Sequence, residues 1–285
     1  MTTALAFSEF FVSDEHPMYV QRWGDPTSSS SSRGVRIHGG GHTGVCWTTR
    51  PDGQAGWAQY LAERGWTVFV LDWPGVGRSA GTSTLLQSTS DHILAAVVAL
   101  VREVGPTLLI GHSFGAPVAA KVADLAPNLV TGLISLVPAP YGNIADNRPV
   151  PEDRPIIVDE NAMRRTFCCA PRFPKDSIER YRRSLCAMSP RIFNAVASGG
   201  SRALVIDDFA LIASIPKLVV GADHDPIVTE PRSSRVAESL GARHVLVGKD
   251  WGLDGFGHMI PVESGSEEIL KRCLAWFADA TSAAG

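Results

Sequence analysis

The run Leu108-Leu109-Ile110-Gly111-His112-Ser113-Phe114-Gly115-Ala116 constrains this chain more than any other stretch. Its apolar start, Thr107 to Ile110, reads as a short buried strand, and the small residues from Ala116 to Ala123 read as a helix. Between them lies Gly-x-Ser-x-Gly. A turn this tight leaves no room for side chains at Gly111 and Gly115, and it holds Ser113 in a strained conformation with its hydroxyl free. The following helix aims its unpaired N–H groups and positive dipole end at the same point, where an anion can be held.

The rest of the chain alternates strand and helix around this unit. Strands are expected at Phe10–Val12, Met18–Trp23, Val35–Ile37, Thr67–Leu71, Leu133–Val137, Lys217–Val220 and His244–Val247. Helices are expected at Gly56–Arg64, after a cap at Ser90, at Thr229–Leu240 and at Glu267–Phe277. Gly24 to Gly34, with its serine run Ser28 to Ser32, reads as a flexible surface loop. Such alternation predicts a mostly parallel sheet covered on both faces, with ligands beyond the carboxyl ends of its strands. Nearly eighty residues separate the strands ending at Val137 and beginning at Lys217. They are too rich in helix formers to be a loop, and Ser177–Met188 reads as a helix within them. The expected organisation is therefore an α/β core, residues 1–137 and 214–285, with a cap insertion at 138–213.

A serine hydroxyl needs a base to take its proton and a carboxylate to orient that base. In a strand–elbow–helix protein these partners follow in the order serine, acid, histidine. His258 lies after the last strand in Gly255-Phe256-Gly257-His258, a loop able to turn an imidazole inward. Asp225 follows the strand ending at Val220 and is the expected acid, with Asp223 as its rival; Asp250 and Asp254 read as solvated loop residues. An oxyanion formed at the serine would need preorganised donors. Phe114 N–H is one, and the glycine loop after Ile37 offers Gly40 and Gly41 as the other. Trp73, at the end of a buried strand, either lines the substrate pocket or packs under its loop, two readings of equal weight, and His112 and His42 are expected to contact substrate. His38 and His42 alone do not make a metal site, and a role in shaping the glycine loop is the better reading of the pair.

With 285 residues, 45% hydrophobic and 19% charged, the composition is that of a globular protein. The formal net charge of −3 gives no reason to expect a nucleic acid or an anionic membrane as partner. No apolar run approaches the roughly 20 residues of a bilayer span. The first residues carry no basic start before their apolar ones, and the five cysteines form no C-x-x-C pair. A cytoplasmic setting is expected from this. The expected partner is a small-molecule substrate, and a homodimer is left open. Between Arg164 and Arg202, nine basic residues face two acids, Asp176 and Glu179. That imbalance suggests a cap that steers anionic substrates, with Phe167, Phe173, Tyr181 and Phe193 as an apolar wall.

Taken together, these segments resemble the α/β-hydrolase superfamily over nearly the whole chain. His38-Gly39-Gly40-Gly41-His42-Thr43-Gly44, Pro51-Asp52-Gly53-Gln54-Ala55-Gly56-Trp57-Ala58 and Asp72-Trp73-Pro74-Gly75-Val76-Gly77-Arg78-Ser79 are similar to segments of bacterial and fungal serine esterases. The resemblance implies an α/β-hydrolase fold and ester cleavage through an acyl-enzyme, without cofactor. It leaves open amide, lactone and C–C bond cleavage, lyase or cyclase chemistry, and a non-catalytic receptor on the same fold. In some members of that branch the acid is a glutamate after the elbow helix's next strand. Here Ile134 to Pro140 contains no acid, and Asp146 is the nearest carboxylate, so either the acid role sits on Asp225, at the superfamily's commoner position, or the triad is incomplete; Asp225 is the favoured reading.

Overall fold

Strands buried on both faces build the centre of the molecule. In the computed structural model, which describes residues 7–13, 16–25, 32–80, 84–199 and 204–282, eight strands form one sheet in the order β1-β2-β4-β3-β5-β6-β7-β8. These are β1 (Phe7–Val12), β2 (Met18–Trp23), β3 (Arg33–Ile37), β4 (Thr67–Asp72), β5 (Thr107–His112), β6 (Val130–Leu136), β7 (Lys217–Gly221) and β8 (Arg243–Leu246). The β1–β2 and β2–β4 pairs are antiparallel and the other five are parallel. β4 and β5 are buried throughout, as strands covered on both faces must be.

The helices are α1 (Val45–Thr48), α2 (Trp57–Ala62), α3 (Ser90–Val104), α4 (Gly115–Leu125), α5 (Glu160–Thr166), α6 (Ile178–Ser184), α7 (Pro190–Ala197), α8 (Glu230–Leu240), α9 (Val247–Trp251) and α10 (Ser266–Ser282). Side chains alternate between two cores because successive strand residues point to opposite faces. Phe69, Leu71, Leu109 and Val219 pack with α3, α4 and α8. Val68, Val70, Leu108, Ile110 and Val220 pack with α1, α2 and α10 on the other face. Each such aliphatic side chain, fully buried, contributes about 1.5–3 kcal/mol.

The helix after Ser88 is capped by Thr89, whose hydroxyl accepts from His92 N–H at 3.4 Å, and Ser90 is its first residue. Val247 opens α9 instead of ending β8. The expected helix at Ser177–Met188 ends at Ser184, where Leu185 turns extended. The serine run before Ser32 lies outside the described residues. Among the described residues between β6 and β7, only α5, α6 and α7 are α-helical. No described helix is long and apolar enough to cross a membrane.

Candidate active site

Three loops at the carboxyl ends of β5, β7 and β8 converge on Ser113. The elbow forms as its residues require. Ser113 has φ +51°, its N–H continues the β5–β6 ladder to the Leu136 carbonyl at 2.9 Å, and its own carbonyl accepts from Ala116 and Ala139 N–H, each at 3.1 Å. A Cβ on Gly111 would run into the Gly115 and Ala116 backbone, and one on Gly115 into the carbonyls of Ile37 and His38, all closer than 3.0 Å. The absence of both side chains brings α4 and the end of β3 together at the serine.

Ser113 Oγ lies 3.1 Å from His258 Nε2, and His258 Nδ1–H donates to Asp225 Oδ2 at 2.8 Å. The other Asp225 oxygen accepts from the N–H groups of Ile227 and Val228 at 2.7 and 3.0 Å. All three residues are buried. The rival carboxylates are engaged elsewhere: Asp223 accepts from Gly248 N–H, Asp250 from Leu246 N–H, and Asp254 pairs with His224. Such a line can take the serine proton onto the imidazole and hold the resulting cation against a carboxylate.

Further buried groups hold the imidazole loop. His112 Nε2–H donates to the His258 carbonyl at 2.7 Å. Glu263, fully buried, straddles His258 by accepting from Gly257 N–H at 2.8 Å and Met259 N–H at 3.3 Å. Burial raises its carboxyl to about 7, against the opposing pull of those two N–H groups. Sequence reasoning missed Glu263. A carboxylate five residues after a loop histidine could have prompted it.

Beside Ser113 is a cavity of about 200 Å³, lined by Gly40, Gly41, Phe114, Ile156, Val158, Phe167, Met188, Phe193, Ile227 and His258. Phe114 stands at the start of α4, so its N–H belongs to the orphan set of that helix end. Gly40 and Gly41 line the same cavity, with Gly40 against the Phe114 ring. Trp73, His112 and His42 do not line the cavity, against the substrate contact expected of the two histidines; for Trp73 the packing alternative holds. Trp73 is 1% exposed and stacks on His38 at 4.4 Å. The His38 ring in turn accepts from Trp73 N–H at 3.2 Å, which makes the tryptophan a packing group beneath the glycine loop. His112 lies behind the elbow on the His258 carbonyl. His42 lies behind the glycine loop, with Nδ1–H donating to the Gly40 carbonyl at 2.8 Å.

The described basic residues between Arg164 and Arg202 stand outside the cavity wall. Arg164 pairs with Glu160, and Arg182 and Arg183 both pair with Glu179 on exposed helix faces; Arg202 lies outside the described residues. The expected aromatic wall is half present. Phe167 and Phe193 line the cavity, whereas Phe173 and Tyr181 pack against one another behind it. Among the described residues, no group of three or more His, Cys, Asp or Glu could hold a metal ion.

An elbow serine, a buried histidine and a buried acid at the ends of a mostly parallel sheet define an α/β hydrolase. The chain belongs to the alpha/beta hydrolase family, which it matches over residues 37–272. It is 24% identical over 334 residues to a probable secreted lipase of a fungal species, a match spanning 91% of this chain and 85% of the relative. Among solved structures, a thermophilic esterase from Thermogutta terrifontis superposes with a TM-score of 0.70 at 19% identity, over 96% of this chain and 99% of the other. A putative lipase from Acinetobacter baumannii superposes with a TM-score of 0.66 at 17% identity, over 98% and 92%. These last two likenesses are of fold.

Proposed function

We propose that this hydrolase cleaves carboxylic esters of small, uncharged, apolar molecules through a Ser113 acyl-enzyme. Ser113 Oγ attacks the ester carbonyl carbon while its proton passes to His258 Nε2, and Asp225 stabilises the imidazolium. The carbonyl oxygen becomes an oxyanion facing Phe114 N–H and the N–H groups of Gly40 and Gly41. Collapse expels the alcohol, which takes the proton from His258. Water then attacks the acyl-enzyme with His258 as base, releasing the acid and restoring the serine.

The observation that carries this reading is the unbroken line Ser113–His258–Asp225 on a serine held at φ +51°. Relatives named as a lipase and an esterase support it. The substrate class follows from the cavity. Its walls are aromatic and aliphatic, no charged side chain lines it except the imidazole if protonated, and about 200 Å³ admits a small acyl or alcohol group. A carboxylate there would lose its hydration without gaining a cation.

The test compares a short neutral aryl ester with a matched ester bearing a carboxylate. The neutral ester is turned over in preference, and Ser113→Ala lowers its kcat by at least about 10³-fold with an unchanged Tm. Retention of substantial turnover by the alanine variant would overturn the mechanism. Preference for the charged ester would overturn the substrate class.

A further inference from the structure

The segment from Tyr181 to Met188 grips the glycine loop as well as roofing the cavity. Tyr181 Oη–H donates to His42 Nε2 at 2.8 Å, and His42 Nδ1–H donates to the Gly40 carbonyl at 2.8 Å. Cys186 N–H donates to the Gly41 carbonyl at 2.9 Å, and its thiol donates to the His42 carbonyl at 3.3 Å. Met188 lies against Gly40, where its thioether would have to shift to admit a Cβ.

The polarity of this relay is fixed. A carbonyl only accepts, so His42 carries its proton on Nδ1, and Nε2 must accept from the tyrosine. Burial pushes the His42 imidazole down to about 3 and the Tyr181 hydroxyl well above its usual range, so both stay neutral. His42 is 3% exposed and Tyr181 is 2% exposed, so bulk water cannot replace either partner. In a trans peptide the N–H points opposite to the C=O of the same unit. Anchoring the Gly40 carbonyl therefore sets the direction of Gly41 N–H, one of the donors assigned to the oxyanion.

We propose that Tyr181 and His42 are positioning residues that couple the seating of the 181–188 segment to the alignment of the oxyanion donors. This rests on the reading of Gly40 and Gly41 given above. Neither residue lines the cavity, so both act through the loop and not on the substrate. The site is then complete only while the insertion is docked.

Tyr181→Phe removes one oxygen and keeps the ring. It should lower kcat for the neutral aryl ester about tenfold and leave KM within about twofold, because the lost alignment matters in the transition state. Inhibition by an aryl trifluoromethyl ketone, whose adduct with Ser113 carries the oxyanion, should weaken by the same factor of about ten. His42→Leu should show the same pattern, and the double variant should lose no more than His42→Leu alone, since one relay is broken once. Either single variant can be read by itself if the other does not fold. A loss confined to KM, a kcat within about twofold of the parent, or additive losses would overturn the coupling. If Ser113→Ala instead keeps its turnover, the parent mechanism is what fails, and the two failures are distinct.

Discussion

Asp225 uses both carboxylate oxygens inside the site, one on the imidazole and the other on two backbone N–H groups. That division fixes the carboxylate plane and with it the face His258 presents to Ser113. Chain order and a Pro-Ile-Val continuation made Asp225 legible beside Asp223. The reason it wins is three-dimensional: Asp223 is turned outward onto Gly248. Trp73 shows the opposite case. Its place at the catalytic end of β4 left pocket and packing roles equally open, because a sequence does not say which way a loop folds; the ring lies under the glycine loop against His38. Trp73→Ala should therefore lower unfolding free energy by about 3–5 kcal/mol, the usual cost of emptying a buried aromatic site. Preference among esters should stay unchanged. Urea unfolding and an ester panel measure the two effects, and a shifted preference at constant stability would return Trp73 to the pocket.

Elements of the core were read from sequence because their signals are local. The strands alternate between two cores, and Gly111 and Gly115 punctuate the elbow. Their ends moved by a few residues, as capping at Thr89 shows. The stretch between β6 and β7 was less legible, since its cavity residues come from irregular backbone as well as helix. Ile156, Val158 and Met188 lie outside α5, α6 and α7. No periodicity marks such residues, and the roles of Tyr181 and His42 depend on a contact across 139 positions. At the elbow the physical demand is sharp. Gly115→Ala should push α4 away from the Ile37 and His38 carbonyls and so separate the glycine loop from Ser113. The expected result is a lower Tm and a kcat loss of at least about tenfold. Native values for both in a thermal melt and an ester assay would contradict this packing.

Across the whole molecule, buried titratable groups set the response to acid. Burial lowers His38 from 6.5 to about 4, His42 from 6.5 to about 3, and His112 well below 6.5. The unfolded chain takes up protons at these three sites below 6.5 that the folded chain refuses, so stability falls as pH falls through that value. Glu263 acts in the opposite sense. Raised from 4.5 to about 7, it holds a proton in the folded state, and its contribution is present below 4.5 and lost as pH rises through 7. Three sites against one give a net loss of stability from about pH 6.5 to about pH 5. Urea unfolding at those two values checks the sign, and Glu263→Gln should make the acid loss steeper by removing the opposing group. Stability that rises toward pH 5 would contradict this ledger of protons.

All of the chemistry depends on Ser113 being the group that becomes covalently bonded. Treatment with a small neutral fluorophosphonate, followed by intact mass and peptide mapping, reads this without any assumption about the natural substrate. One adduct per chain, located on the peptide that carries Ser113 and absent from Ser113→Ala, is the expected result. An adduct on another residue, or one that persists undiminished in the alanine variant, would contradict the proposed mechanism.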